Sequence, residues 1–263
     1  MTTYNDLIVD HRGAVSWLYL NRPQALNAIS LPAMRELREA LIELRDRDET
    51  RVIVLSGKGR GFCAGADLGG ALPDRAAPPS PEPDFLALGT AMEAVLNNIE
   101  KPIIAAVNGV AAGGGLELAL MCDFIVAAET AKIGDAHSNF GALPGGGASA
   151  RLPRVIGINR ARYLMLSGEL LLAPELVSWG LVSKVWPADQ FEDETQKLAE
   201  KLAGKSPLGL KHMKRLLTQA LDIPLDVALH NEKLTATEYM RSHDAAEGGK
   251  AFMEKRPPQF KGY

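Results

Sequence analysis

Glu117 and His137 are the two side chains in this sequence best placed to move a proton, and glycine surrounds both. Glu117 lies in Gly113-Gly114-Gly115-Leu116-Glu117-Leu118-Ala119, after the apolar run 103–107 and the turn Asn108-Gly109. That order predicts a strand, a tight turn and a helix start. The first N–H groups of a helix have no partner inside it and face whatever lies in front of them. Glycine there lets a ligand approach the backbone closely. Oriented N–H donors beside a carboxylate can hold an oxyanion while a proton is moved. His137 follows twenty positions after Glu117, inside the glycine-rich stretch 133–147, with Asp135 two residues before it. Imidazole titrates near neutrality, so Glu and His make a workable acid–base pair; a structural histidine is the competing reading. A second small-residue loop, Arg60-Gly61-Phe62-Cys63-Ala64-Gly65-Ala66-Asp67-Leu68, can offer backbone groups to a ligand or be an ordinary tight turn. Adjacent parallel strands bring such loops together at their C-terminal ends.

The elements that must position these loops are short apolar runs alternating with helical spacing. Residues 6–20 read as a hairpin closed around Arg12-Gly13 and stopped by Asn21-Arg22-Pro23. Over 32–48, Met34, Leu37, Leu41 and Leu44 follow helical spacing behind Ser30 as N-cap. Strands are predicted over 52–55, 103–107 and 124–127, helices over 85–99 and 114–120, and a turn-rich loop over 56–61. Prolines at 73, 78, 79, 81 and 83 rule out a regular element over 71–84, which reads as a mobile surface loop. This alternation argues for an α/β core with parallel pairing. Beyond residue 148 the chain reads as helical, over 160–167, 174–179, 189–203, 207–220, 225–240 and 245–254, interrupted by a strand over 182–186. No internal repeat is visible in the sequence.

The bulk properties narrow the function. The chain has 263 residues, 46% apolar and 23% charged, with a formal net charge of −3. These values suit an ordinary globular protein and give no reason to expect nucleic acid or an acidic membrane as partner. No apolar run has the length of a membrane span, and the N-terminus lacks the pattern of a secretion signal. Two cysteines, Cys63 and Cys122, outside any CxxC, suit free thiols in a reducing cytoplasm, and the Ala-rich, Lys-poor composition points to a GC-rich bacterial source. Residues 145–150 formally fit G-x-G-x-x-A, but no strand precedes them. Residues 147–151 miss the second glycine of a nucleophilic-serine elbow. Neither a P-loop nor an HExxH or Cys/His cluster is present, so no metal is expected. Lys250, Lys255, Arg256 and Lys261 form a basic cluster near the C-terminus, either a solvated face or a place for phosphate contacts.

These pieces together resemble the enoyl-CoA hydratase/isomerase (crotonase) superfamily over nearly the whole chain. The resemblance is carried by Asn21-Arg22-Pro23 with Ala25-Leu26-Asn27-Ala28, by 62–68, by Lys101-Pro102 through Asn108-Gly109, and by 113–119 with Cys122-Asp123. Leu143-Pro144-Gly145-Gly146-Gly147, Gly180-Leu181-Val182 and Phe252-Met253-Glu254-Lys255-Arg256 continue it in the family's order. It implies an α/β fold, a crotonase-like spiral of β-β-α repeats over 1–200, and a C-terminal α-helical region over 201–263 that builds homotrimers or homohexamers and part of the CoA site. It implies an acyl-CoA or enoyl-CoA thioester as ligand, with coenzyme A as part of the substrate and no other cofactor. The backbone amides of Ala66 and Gly114 match the family's oxyanion hole. Ala64, Asp67 and Leu68, with Ala25 and Leu26, match the adenine and pantetheine path. Phe252 and Lys255 match C-terminal positions that contact CoA, in some members from a neighbouring subunit. Glu117 matches the first of two glutamates that handle water in the hydratases; the second falls on His137. The resemblance therefore implies a hydratase acting on a 2-enoyl-CoA. Isomerisation, hydrolysis or C–C cleavage through the same enolate, or acyl-CoA binding without turnover, stay open beside it. Acyl chain length is not legible.

Overall fold

The computed structural model describes residues 3–67 and 84–263. Leu68 and most of the proline-rich segment read as a mobile loop lie outside the described residues. The chain opens with a hairpin, β1 (Leu7–Arg12) and β2 (Val15–Leu20). Helix α1 (Leu31–Asp46) follows, its Ser30 side chain accepting from the Ala33 amide as anticipated; such a cap is worth about 1 kcal/mol. Met34, Leu37, Leu41 and Leu44 are all buried, the helical spacing seen in the sequence.

The crossovers that follow are more elaborate than a strand–helix alternation. Each turn gives one longer strand and then one short one: β3 (Val52–Gly57) and β4 (Gly61–Cys63), β5 (Ile103–Val107) and β6 (Val110–Ala112), β7 (Phe124–Ala128) and β8 (Lys132–Gly134). Helix α2 (Phe85–Asn97) separates the first pair from the second, and α3 (Gly114–Leu120) the second from the third. The longer strands join a six-stranded sheet in the order β1-β2-β3-β5-β7-β10, parallel from β2 onward, with β10 at Lys184–Trp186. The short strands build a second sheet, β4-β6-β8-β9, in which β9 (Leu171–Leu172) runs antiparallel to β8. This is a spiral of β-β-α turns, repeated in structure although the sequence repeat is invisible. Ser56 and Gly57, read from the sequence as loop, belong to β3, and Gly61 begins β4.

The larger sheet is covered on both faces, which is why its central strands read as unbroken apolar runs. Leu18, Ile53, Leu55, Ile103 and Ala105 face α1, α2 and the small sheet. Trp17, Val54, Ile104 and Val126 face the opposite side, where Phe191, Ala199 and Ala203 of α7 (Phe191–Ala203) close a second core. Helices α4 (Ala148–Ile156), α5 (Ile158–Ser167) and α6 (Ala173–Val177) come between. The first was not anticipated from the sequence, because it starts behind a glycine run and carries Pro153.

The chain ends in α8 (Pro207–Gln219), α9 (Leu225–Tyr239) and α10 (His243–Glu254). Leu217, Leu225, Leu229, Leu234 and Met240 are exposed there, and α9 buries none of its residues. The last residues are strapped back by the fully buried Asp244, which accepts from the amides of Lys261 (2.7 Å) and Gly262 and from Ser206 Oγ (2.6 Å). Both cysteines are unpaired, and burial pushes the Cys63 and Cys122 thiols up to about 12. No helix among the described residues is long and apolar enough to cross a membrane.

Candidate active site

A cavity of about 610 Å³ opens where the loops after β4, β6 and β8 meet α1 and α2. That size is ordinary for a small-molecule site. Ala64, Ala66, Gly114, Glu117 and His137 all line it, so the structure brings these sequence-predicted residues together. Its walls are otherwise mainly apolar, including Met34, Phe85, Met92, Met121 and Leu143. Asp84, Glu117 and His137 are its ionisable lining residues among those described.

The backbone comes first. Gly113 ends the turn after β6 with φ of +52°, a conformation that favours glycine, and α3 starts behind it. A Cβ on Gly115 would overlap the Cys63 carbonyl, so only glycine lets α3 seat this tightly against β4. That seating brings the two predicted amides side by side. A Cβ on Gly114 would sit 3.5 Å from the Ala66 nitrogen. Gly114 is the first residue of α3, so its N–H has no partner within the helix, and neither amide donates to another group among the described residues. Two unsatisfied N–H donors facing one cavity are the parts of an oxyanion hole.

Glu117 and His137 stand beside them. Glu117 lies in the first turn of α3 and is 5% exposed. The amides of Gly146 (2.7 Å) and Ala148 (3.1 Å) donate to its Oε1. Its Oε2 lies 3.8 Å from His137 Nε2, beyond direct hydrogen bonding. The opposite ring nitrogen, Nδ1, is 2.8 Å from Asp135 Oδ1. A carboxylate only accepts, so Nδ1 carries the proton there. The hydrogen bond to Asp135 raises the His137 pKa above its ordinary value; burial opposes, and the Asp135 and Glu117 charges reinforce the rise. The sequence reading did not find the amides of Gly146 and Ala148 as anchors of Glu117, since nothing in a sequence marks a backbone donor 29 or 31 positions away.

The remaining predicted residues that the structure describes do not line this cavity. Ala25 ends a short 3-10 helix, and Leu26 follows it, accepting from the Ala64 amide (3.0 Å) and so standing next to the cavity wall. Asp67 pairs with Arg22 (2.9 Å) rather than lining the cavity. Phe252, 85% exposed, and Lys255, which caps α10, are not among the lining residues of the single chain. Among the described residues no group of three or more His, Cys, Asp or Glu side chains could hold a metal ion.

Fold and cavity together define a class: an α/β spiral whose helix N-terminus presents free amides next to a carboxylate and an imidazole. Comparison with known proteins places the chain within that class. A model of the enoyl-CoA hydratase/isomerase family matches residues 10–263. A 2,3-dehydroadipyl-CoA hydratase of Escherichia coli is 39% identical over 98% of this chain and 99% of its own length. A 1,2-epoxyphenylacetyl-CoA isomerase of the same organism is 38% identical over the same shares. The crystal structure of an enoyl-CoA hydratase from Bacillus anthracis superposes with a TM-score of 0.90 at 34% identity, covering 98% of this chain and all of that one. The chain belongs to the enoyl-CoA hydratase/isomerase family and is an enzyme of that family.

Proposed function

We propose that the enzyme adds water across the α,β double bond of a 2-enoyl-CoA thioester. The observation that carries this reading is the convergence, in one cavity, of the Ala66 and Gly114 amides with Glu117 and His137. The thioester oxygen is held by the two amides. Water is bound by Glu117 Oε2 and His137 Nε2. Glu117 takes one of its protons as the oxygen forms a bond to Cβ, and the π electrons of the double bond move onto the thioester oxygen as an enolate. The enolate then collapses, and His137 in its protonated form delivers a proton to Cα. Glu117 is left protonated and His137 neutral, and passing that proton across the gap between them resets the pair. The raised pKa of His137 supports assigning it the acid role. Each oxyanion donor is worth about 100- to 1,000-fold in rate.

The CoA portion runs past Ala64 toward Ala25, Leu26 and Asp67, with coenzyme A entering as part of the substrate and no resident cofactor. The exposed apolar side chains of α8 and α9 suit a homotrimer or a dimer of trimers built by residues 201–263. In such an assembly Phe252 and Lys255 reach the CoA of a neighbouring subunit. A cytoplasmic setting suits both the free thiols and the ligand. A second reading, double-bond isomerisation, draws on the replacement of one carboxylate by His137 and on the isomerase among the relatives. It needs one proton shuttle rather than two groups sharing a water.

The reaction class is tested by the products. Incubation with crotonyl-CoA and with a 3-enoyl-CoA, followed by mass analysis, is expected to show gain of one water from the first. Conversion of the 3-enoyl ester to the 2-enoyl ester without gain of mass, with crotonyl-CoA untouched, would overturn the hydratase reading in favour of the isomerase. Release of free CoA thiol would overturn both.

A further inference from the structure

We infer that Asp135 is the positioning residue of this site: it locks the His137 ring so that Nε2 alone exchanges protons with the ligand, and its charge sets the state in which the ring meets that ligand. The inference rests on the acid–base reading of His137 above. Asp135 follows directly on β8 and is 1% exposed. One carboxylate oxygen, Oδ1, makes both contacts: the His137 amide donates to it at 3.1 Å and the ring Nδ1 at 2.8 Å. The first fixes where the backbone turns into the short helix His137–Phe140, and the second fixes the rotation of the ring. With Nδ1 held, Nε2 points at Glu117 Oε2, 3.8 Å away, and the ring edge lies 3.6 Å from the place a Cβ on Gly113 would occupy. That edge is one residue from the Gly114 amide.

This geometry removes the tautomer ambiguity of histidine. Nδ1 carries a proton in both the neutral and the charged ring, so the proton that comes and goes is on Nε2, facing the cavity. A purely structural cap would need only the acceptor oxygen. Instead, the second oxygen of Asp135, Oδ2, is buried and has no hydrogen-bond partner among the described residues. A buried, unpartnered carboxylate oxygen is costly, and the charge it brings favours the protonated form of the ring. Two charged groups act on that ring, Asp135 from the loop after β8 and Glu117 from α3.

Asp135→Asn tests this, because the amide oxygen can still accept both hydrogen bonds while the charge is gone. Titration of the ¹⁵N-labelled His137 ring is expected to move to lower pH in the variant. The alkaline limb of kcat should move with it, and kcat should fall by about 100-fold near neutrality, with KM almost unchanged. Ring titration and pH profile like those of the wild type would overturn the inference, as would a rise in KM with kcat intact. If the variant does not fold, the wild-type spectrum decides: a neutral ring protonated at Nδ1 supports the role of Asp135, and one protonated at Nε2 overturns it. The ring measurement needs no turnover, so failure of the hydratase reading and failure of this inference are told apart.

Discussion

One oxygen of Glu117 is tied to two backbone amides and the other is left toward His137, so the fold itself sets the direction of the carboxylate. His137 is held from the opposite side by Asp135. Its raised pKa has a consequence for stability as well as for catalysis, because folding favours the protonated ring. That contribution is fully present below the unfolded imidazole value, roughly 6.5. It is lost as pH rises through the higher folded value. His137→Gln should therefore cost more stability in acid than in alkali. Urea unfolding of wild type and variant at about pH 5.5 and about pH 9 measures this, with values chosen to bracket the imidazole range. An equal difference at both pH values would mean that the ring is not held charged by Asp135.

At the scale of elements, the site depends on how closely α3 sits on β4. Gly115→Ala would drive a methyl group into the Cys63 carbonyl, and backbone cannot give way as a side chain can. The expected cost is about 1–3 kcal/mol of stability, read by denaturant unfolding. A parallel loss of turnover is expected, because α3 carries both Gly114 and Glu117. Unchanged stability would show that this contact is slack. The same contact explains what the sequence conveyed and what it hid. Helices such as α1, with apolar residues at helical spacing behind a serine cap, announce themselves locally. Strands β4, β6 and β8 are three residues each, too short to carry a period, and their pairing is decided by residues tens of positions away. Helix α4 was hidden by its own proline. Glu117 and His137 stood out as ionisable groups among glycine and apolar residues, whereas the amides that orient Glu117, Gly146 in a loop and Ala148 at the start of α4, are brought near only by the folded chain.

For the whole molecule, the spiral stacks three short strands so that the loops following them converge on one cavity, while α7 seals the far face of the larger sheet. Residues distant in sequence thus meet at one cavity, and the C-terminal helices leave apolar side chains exposed. In the proposed mechanism Glu117 and His137 act together on a water above a CoA thioester. Its most direct test is the decay of the enoyl-thioester absorbance of crotonyl-CoA with wild type, Glu117→Gln and His137→Gln, alongside CoA binding by calorimetry. Glutamine keeps an acceptor for the Gly146 and Ala148 amides in the first variant and a donor for Asp135 in the second. Rapid loss of the band in wild type, with both variants slowed by at least about 100-fold and still binding CoA, is the predicted result. Full activity in either variant, or a stable band in wild type despite CoA binding, would contradict it.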